Sequence, residues 1–205
     1  MFEWFKKHIN STKQATNSTK SDGSIFQLTP NEDMIKDEKE RLEFFVECFI
    51  EKLSKLPEIN KEQLNYIQEV SEKNLHCFER IDLKSLFNIG EELPLAEKKK
   101  LGLNSRMKIC EGYLKLINID AVNKKNPFEV LIESQIFASN KSHSYNNILK
   151  ARQLKCTHME LKVFEDTCPK SMKFNIIYKI DEAPLPPLET CGKRCLCMLV
   201  AQIEF

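Results

Sequence analysis

Apolar residues recur at three- and four-residue steps through most of the chain, then alternate with polar ones near its end. The first clear stripe is Leu42, Phe45, Val46, Phe49, Ile50, Leu53 and Leu56, the spacing of one buried helical face. Thr29 stands before it as a cap, Pro30 as a first-turn proline, and Pro57 stops it, so the pattern predicts a helix of about 27 residues. Asn60 caps a second helix, with Leu64, Ile67, Ser71, Leu75 and Phe78 on one stripe, running to Ile81. Asp82 caps a shorter one over 83–90, closed by Gly90, and Pro94 opens another over 95–101, closed by Gly102. Asn104 caps 105–118, where Ile109, Tyr113, Leu116 and Ile117 share a side. Asn126-Pro127 starts a helix over 128–140, Ser142 or Ser144 caps a last one over 145–155, and His143 falls in the loop between them.

From Cys156 the period becomes two. Met159, Leu161 and Val163 alternate with His158, Glu160 and Lys162, the pattern of a half-buried strand. Residues 173–180, rich in Ile, Phe and Tyr, read as a second strand. The proline-rich stretch 181–189 reads as a rigid polyproline-like connection, and 195–205 as a third strand. Three short strands are stable only when something covers one face, and the helices supply that cover. The fold class predicted is α+β: a helical N-terminal body with a small three-stranded antiparallel cysteine-rich module at the C-terminus. Its divisions are a flexible tail over 1–24, a helical domain over 25–154 and the cysteine-rich β module over 155–205. Within the tail, Phe2, Phe5 and Ile9 lie opposite Lys6 and Lys7, an amphipathic segment too short for a strong membrane anchor. Residues 11–24 are polar and without periodicity, as a linker is.

Composition narrows the classes. The chain has 205 residues, 41% hydrophobic and 30% charged, with net charge +1. Those are the proportions of a soluble globular protein with no overall field for nucleic acid or membrane. It has no run of about 18 apolar residues that would cross a bilayer, and its first residues lack the apolar core of a secretory signal. The localisation expected is cytoplasmic, where clustered cysteines point to metal ligation or redox chemistry rather than structural disulfides. Charge is uneven locally. Residues 31–58 hold nine acids and five bases, and residues 91–125 hold eight bases and five acids. Lys98, Lys99, Lys100, Arg106 and Lys108 lie close together in the second stretch. No recognition helix or aromatic platform accompanies them, which argues against nucleic acid as a partner.

The candidate chemistry lies in the cysteines. Cys48, Cys77 and Cys110 fall in predicted helices, where cysteine packs as a small hydrophobe. His76 and Cys77 are neighbours, but adjacent helical side chains point about 100° apart and do not converge. The other four of interest follow the pattern Cys168-x22-Cys191-x3-Cys195-x-Cys197. Four thiolates complete a tetrahedral zinc site at about 2.3 Å each. Cys168-Pro169 turns a corner at a strand end, Cys195 and Cys197 share one face of a strand, and Gly192 frees the turn between Cys191 and Cys195. Pro186 and Pro187 stiffen the return path. Ser171 occupies the position at which a Cys-Pro-x-Cys knuckle would carry its second thiol. Three readings stay open: a structural zinc on all four, reduced thiols packed on the sheet, or a disulfide from Cys168 to one of the others. Cys156 and His158 are reserve ligands. A closed four-cysteine set leaves no coordination position for a reacting water. Glu182 and Glu189 flank it as solvated loop acids, and no residue is assigned as catalytic.

This tail, from Cys168-Pro169 through residues 182–188 to Cys191, Cys195 and Cys197, resembles a cysteine-rich C-terminal module of uncharacterised bacterial proteins. More distantly it is similar to the tail of phage head-morphogenesis (minor capsid) proteins, which share the Cys-Pro turn, the aromatic strand, the proline-rich stretch and the closing Cys-x-Cys. Residues 101–109 look like part of the same group. The resemblance implies cysteines that hold zinc or lock the fold, and it brings no activity with it. The function expected is that of a non-catalytic cytoplasmic protein whose structural zinc module serves binding or assembly with another protein. The alternatives are a metal-dependent, nuclease-like hydrolase using the basic run, and a thiol redox switch.

Overall fold

Asn31 caps the first helix. Its side chain accepts a hydrogen bond from the Met34 amide at 2.8 Å, and Glu32 and Asp33 fill the first turn, where carboxylates meet the positive end of the helix. This helix, α1 (Glu32–Ser54), carries the predicted stripe inward: Leu42, Phe45, Val46, Phe49 and Leu53 are all buried. The computed structural model describes residues 30–79, 81–191 and 195–202. The amphipathic segment 1–10, the linker 11–24, Thr29 and Gly192 lie outside the described residues.

Asn60 caps as expected, accepting from the Glu62 amide at 3.2 Å. A 3-10 turn there leads into α2 (Leu64–Lys73), which ends well before Ile81. The Asn74 side chain donates to the Val70 carbonyl at 2.7 Å. Beyond it Phe78 adopts a left-handed φ of 64°, and its amide donates to the Glu38 carboxylate of α1 at 3.2 Å. That tertiary bond draws the backbone off the helical path, so Phe78 leaves the buried stripe and is 51% exposed. His76 and Cys77 therefore sit in a turn and not on a helix.

The middle of the chain forms short elements. Asp82 accepts from the Lys84 amide at 2.9 Å but opens only the 3-10 turn Lys84–Leu86, instead of a helix over 83–90. α3 (Leu95–Lys100) follows Pro94 as predicted. Gly90 and Gly102 take φ of 78° and 71°, the conformation that favours glycine at a chain reversal. Asn104 accepts from Arg106 at 3.1 Å and makes a turn, while the helix it was expected to cap starts later, as α4 (Glu111–Leu116). Tyr113 of α4 is fully buried and donates to the Pro127 carbonyl at 2.6 Å, with Phe87 tilted and Phe128 edge-on against its ring.

The two helices predicted over 128–140 and 145–155 are one, α5 (Glu129–Gln153), roughly 37 Å long at 1.5 Å per residue. His143 is thus on a helix, not in a loop. The sequence looks interrupted because the buried positions are small: Ser134, Ala138 and Ser142 stand at four-residue steps and are fully buried. The serine hydroxyls donate back to Val130 at 2.7 Å and Ser139 at 2.9 Å, so they bury without unpaired donors. α1 lies against this face, and Phe44 stacks on Tyr145 with ring centroids 4.6 Å apart.

After α5 the chain enters an antiparallel sheet of β1 (His158–Lys162), β2 (Ile177–Lys179) and β3 (Met198–Gln202), in the order β2-β1-β3. Glu160 pairs with Ile177 on one side and Val200 on the other. Met159, Leu161 and Leu199 point inward and close a second hydrophobic cluster with Ile148 and Ala151 of α5, Val163 and Cys168. The architecture is α+β, with the sheet at the C-terminal end and one long helix shared by both cores. The proline-rich connection is irregular, its Pro186-Pro187 peptide is cis, and the polyproline-like reading does not describe it. Among the described residues no helix is long and apolar enough to cross a membrane.

Candidate metal centre

Three loops at one end of the sheet deliver the four cysteines. After β1 the chain makes a turn in which the Cys168 amide donates to the Phe164 carbonyl at 2.8 Å. Pro169 then opens a 3-10 turn, Pro169–Phe174. The turn points Cys168 into the second core, where it is 1% exposed. Cys191 ends the proline-rich loop, its amide donating to the Leu188 carbonyl at 2.9 Å while the Leu188 amide donates to the Cys191 sulfur at 3.3 Å. Cys195 and Cys197 lie on the extended approach to β3, which begins only at Met198. They are therefore not strand residues, as the alternation suggested. The Cys197 amide is directed at the Cys195 sulfur.

The four sulfurs all lie within 4.8 Å of one another, and those of Cys191 and Cys197 are 3.8 Å apart. A tetrahedral ion with metal–sulfur bonds of about 2.3 Å places its sulfurs about 3.8 Å apart. A disulfide needs about 2.05 Å. None of the eight cysteines is in a disulfide, so no such bond joins Cys168 to its neighbours. This donor set can hold a metal ion, and its chemistry suits one. Burial pushes the Cys197 thiol up to about 11 and raises that of Cys195 as well, the Cys197 amide working the other way at Cys195. Such thiols are protonated at neutral pH on their own, and a divalent cation reverses this because a coordinating thiol gives up its proton.

Ser171 is not a bystander. It is fully buried, and its hydroxyl lies 2.7 Å from Thr190 Oγ1 and 3.5 Å from Cys191 Sγ. The reserve ligands do not join the group. Cys156 packs at the margin of the second core, and His158 Nδ1 lies 2.9 Å from the Thr157 hydroxyl. Glu189 lines a cleft of about 870 Å³ with Cys191 and Cys195. Lys52 of α1, Lys55 just beyond its end, and Phe137 and Lys141 of α5 line it too. The site thus has one side in the core and one on a solvent-filled groove.

Outside the site, Cys48 and Cys110 are buried as the sequence suggests, and burial raises the Cys48 thiol to about 11. The basic run is smaller than it reads. Lys98 is 3% exposed, donating to Glu92 at 2.6 Å and to the Met107 carbonyl at 2.9 Å. Lys99, Lys100, Arg106 and Lys108 are exposed. One polar cluster escaped the sequence reading: Arg41 forms a two-point pair with Glu38, both buried. Its signal was present, since 38, 41, 45 and 49 continue the α1 stripe backward and put a charged pair where apolar residues belong. Comparison with known protein families, with curated proteins and with solved structures finds no match.

Proposed function

We propose that Cys168, Cys191, Cys195 and Cys197 bind one zinc ion as a structural centre in a non-catalytic cytoplasmic protein, and that the module so formed serves binding or assembly with another protein. The observation that carries the reading is the convergence of four unbridged sulfurs within 4.8 Å. A four-thiolate set is closed, which suits a structural ion. The ligands tie together the end of the β1 turn, the proline-rich loop and the approach to β3, three segments with little regular structure of their own. Metal affinity at such a site is folding free energy, on the order of 10 kcal/mol or more in small zinc domains.

Tetrahedral sulfur sites accept zinc or iron, and elemental analysis of protein purified without chelator separates them. The expected result is about one zinc per chain, with four thiols protected until the metal is removed. Chains that carry no metal, with all four thiols freely reactive, would overturn the reading and favour a thiol redox switch.

A further inference from the structure

We infer that Ser171 is a positioning residue for the metal centre, donating its hydroxyl proton to the sulfur of Cys191 with Thr190 behind it. This rests on the four-cysteine reading above and adds to it a group that binds no metal itself. Ser171 is held in the 3-10 turn after Cys168, its amide donating to the Cys168 carbonyl at 2.9 Å. Its hydroxyl is fully buried, with Thr190 Oγ1 at 2.7 Å on one side and Cys191 Sγ at 3.5 Å on the other.

A hydroxyl has one proton to give, so a row in which each group donates to the next can run in either of two directions. Either the thiol of Cys191 donates to Ser171, which donates to Thr190, or Thr190 donates to Ser171, which donates to sulfur. A metal-bound sulfur has lost its proton and can only accept. Metal loading therefore selects the second arrangement. The Leu188 amide, 3.3 Å away, is a further donor to the same sulfur. Four thiolates on one divalent ion carry excess negative charge, and donors aimed at the sulfurs offset it where water is excluded. The Cys197 amide does the same at Cys195. Ser171 stands where a Cys-Pro-x-Cys knuckle would supply a thiolate. The chain supplies there a donor to a thiolate brought from twenty residues further on.

The test uses the full chain loaded with cadmium-113, its affinity measured by chelator competition and its ligands by cadmium–proton correlation. Ser171→Ala is expected to bind about 10-fold more weakly, the size usual for loss of an outer-shell partner, and Thr190→Val about 3-fold more weakly. In Ser171→Ala the cadmium resonance moves, and along the proton axis the Cys191 β-protons shift while those of Cys168 and Cys195 keep their frequencies, a pattern that general loosening of the fold does not give. Should Ser171→Ala fail to fold, Thr190→Val decides by the same two readouts. Affinities within about twofold of the parent, with an unmoved cadmium resonance, would overturn the inference while leaving the metal reading standing. A parent chain that takes up no cadmium would overturn both.

Discussion

At the scale of single residues, the most buried ion pair among the described residues is Glu38–Arg41, both on α1, with Arg41 facing Ser142 of α5. Arg41 donates to the two Glu38 oxygens at 2.8 and 2.6 Å and reaches Ser142 Oγ at 3.4 Å. Burial by itself would raise the Glu38 carboxyl, but the hydrogen bonds and charge of Arg41 outweigh it, with the Phe78 amide and His143 adding to them, and the net shift is downward. A carboxyl depressed in the folded state stabilises the fold above its unfolded value of about 4.3, and that contribution is lost as pH falls through the folded value. Removing one partner of a buried pair leaves the other charge without compensation. Arg41→Ala is expected to cost about 3–5 kcal/mol at pH 7, a loss that shrinks below about pH 4 as Glu38 takes up a proton. Urea unfolding at the two pH values measures both. An equal loss at each would show that packing, not the ion pair, is what Arg41 supplies.

At the scale of elements, α5 decides how closely the helical body packs. Ser134, Ala138 and Ser142 keep its inner face narrow, which lets α1 approach and lets the Phe44–Tyr145 stack form at its margin. Nothing in that stripe is apolar enough to mark it by periodicity, which is why a helix of 25 residues reads as two shorter ones. Overpacking tests the closeness of fit. Ala138→Leu is expected to destabilise the protein by about 1–3 kcal/mol, read as a lower urea midpoint. The exposed Ile132, on the same helix, is the control: Ile132→Ala should change the midpoint little.

At the scale of the whole molecule, the same helix serves two cores. Its first half packs against α1 and shares the first core with α2 and α4, and its second half, through Ile148 and Ala151, covers the sheet. Ser144 Oγ donates to the Pro186 carbonyl at 3.2 Å, and the Asn147 amide lies 3.5 Å from the Leu199 carbonyl. The exposed Arg152–Asp181 pair at 2.7 Å adds little, as exposed pairs do. Because Cys168 belongs to the second core and the other three cysteines pack on it, metal removal should act unevenly. Chelation, or Cys195→Ser, is expected to release the amides of β1 and β3 to hydrogen exchange while those of α1 and α4 stay protected. Equal loss in both regions would mean that the two cores unfold as one unit.

Much of the fold was legible because it depends on local spacing. The stripe of α1, the alternation in β1, the cap at Asn60 and the left-handed glycines at 90 and 102 all follow from side chains within a few residues of one another. The four cysteines were legible as a set because few other residue types serve as soft ligands, and their clustering needs no geometry to be noticed. What the tertiary structure decided were matters between distant segments: the early end of α2, drawn off by a bond from Phe78 to Glu38; and the continuity of α5, held by a helix that meets it 101 residues earlier at Arg41 and Ser142. Ser171 is the clearest case. In sequence it is a missing thiol, one position short of a knuckle. In space it lies against the sulfur of Cys191, because a turn after β1 and the end of the proline-rich loop fold onto the same corner of the sheet. Spacing along the chain carries no record of that approach.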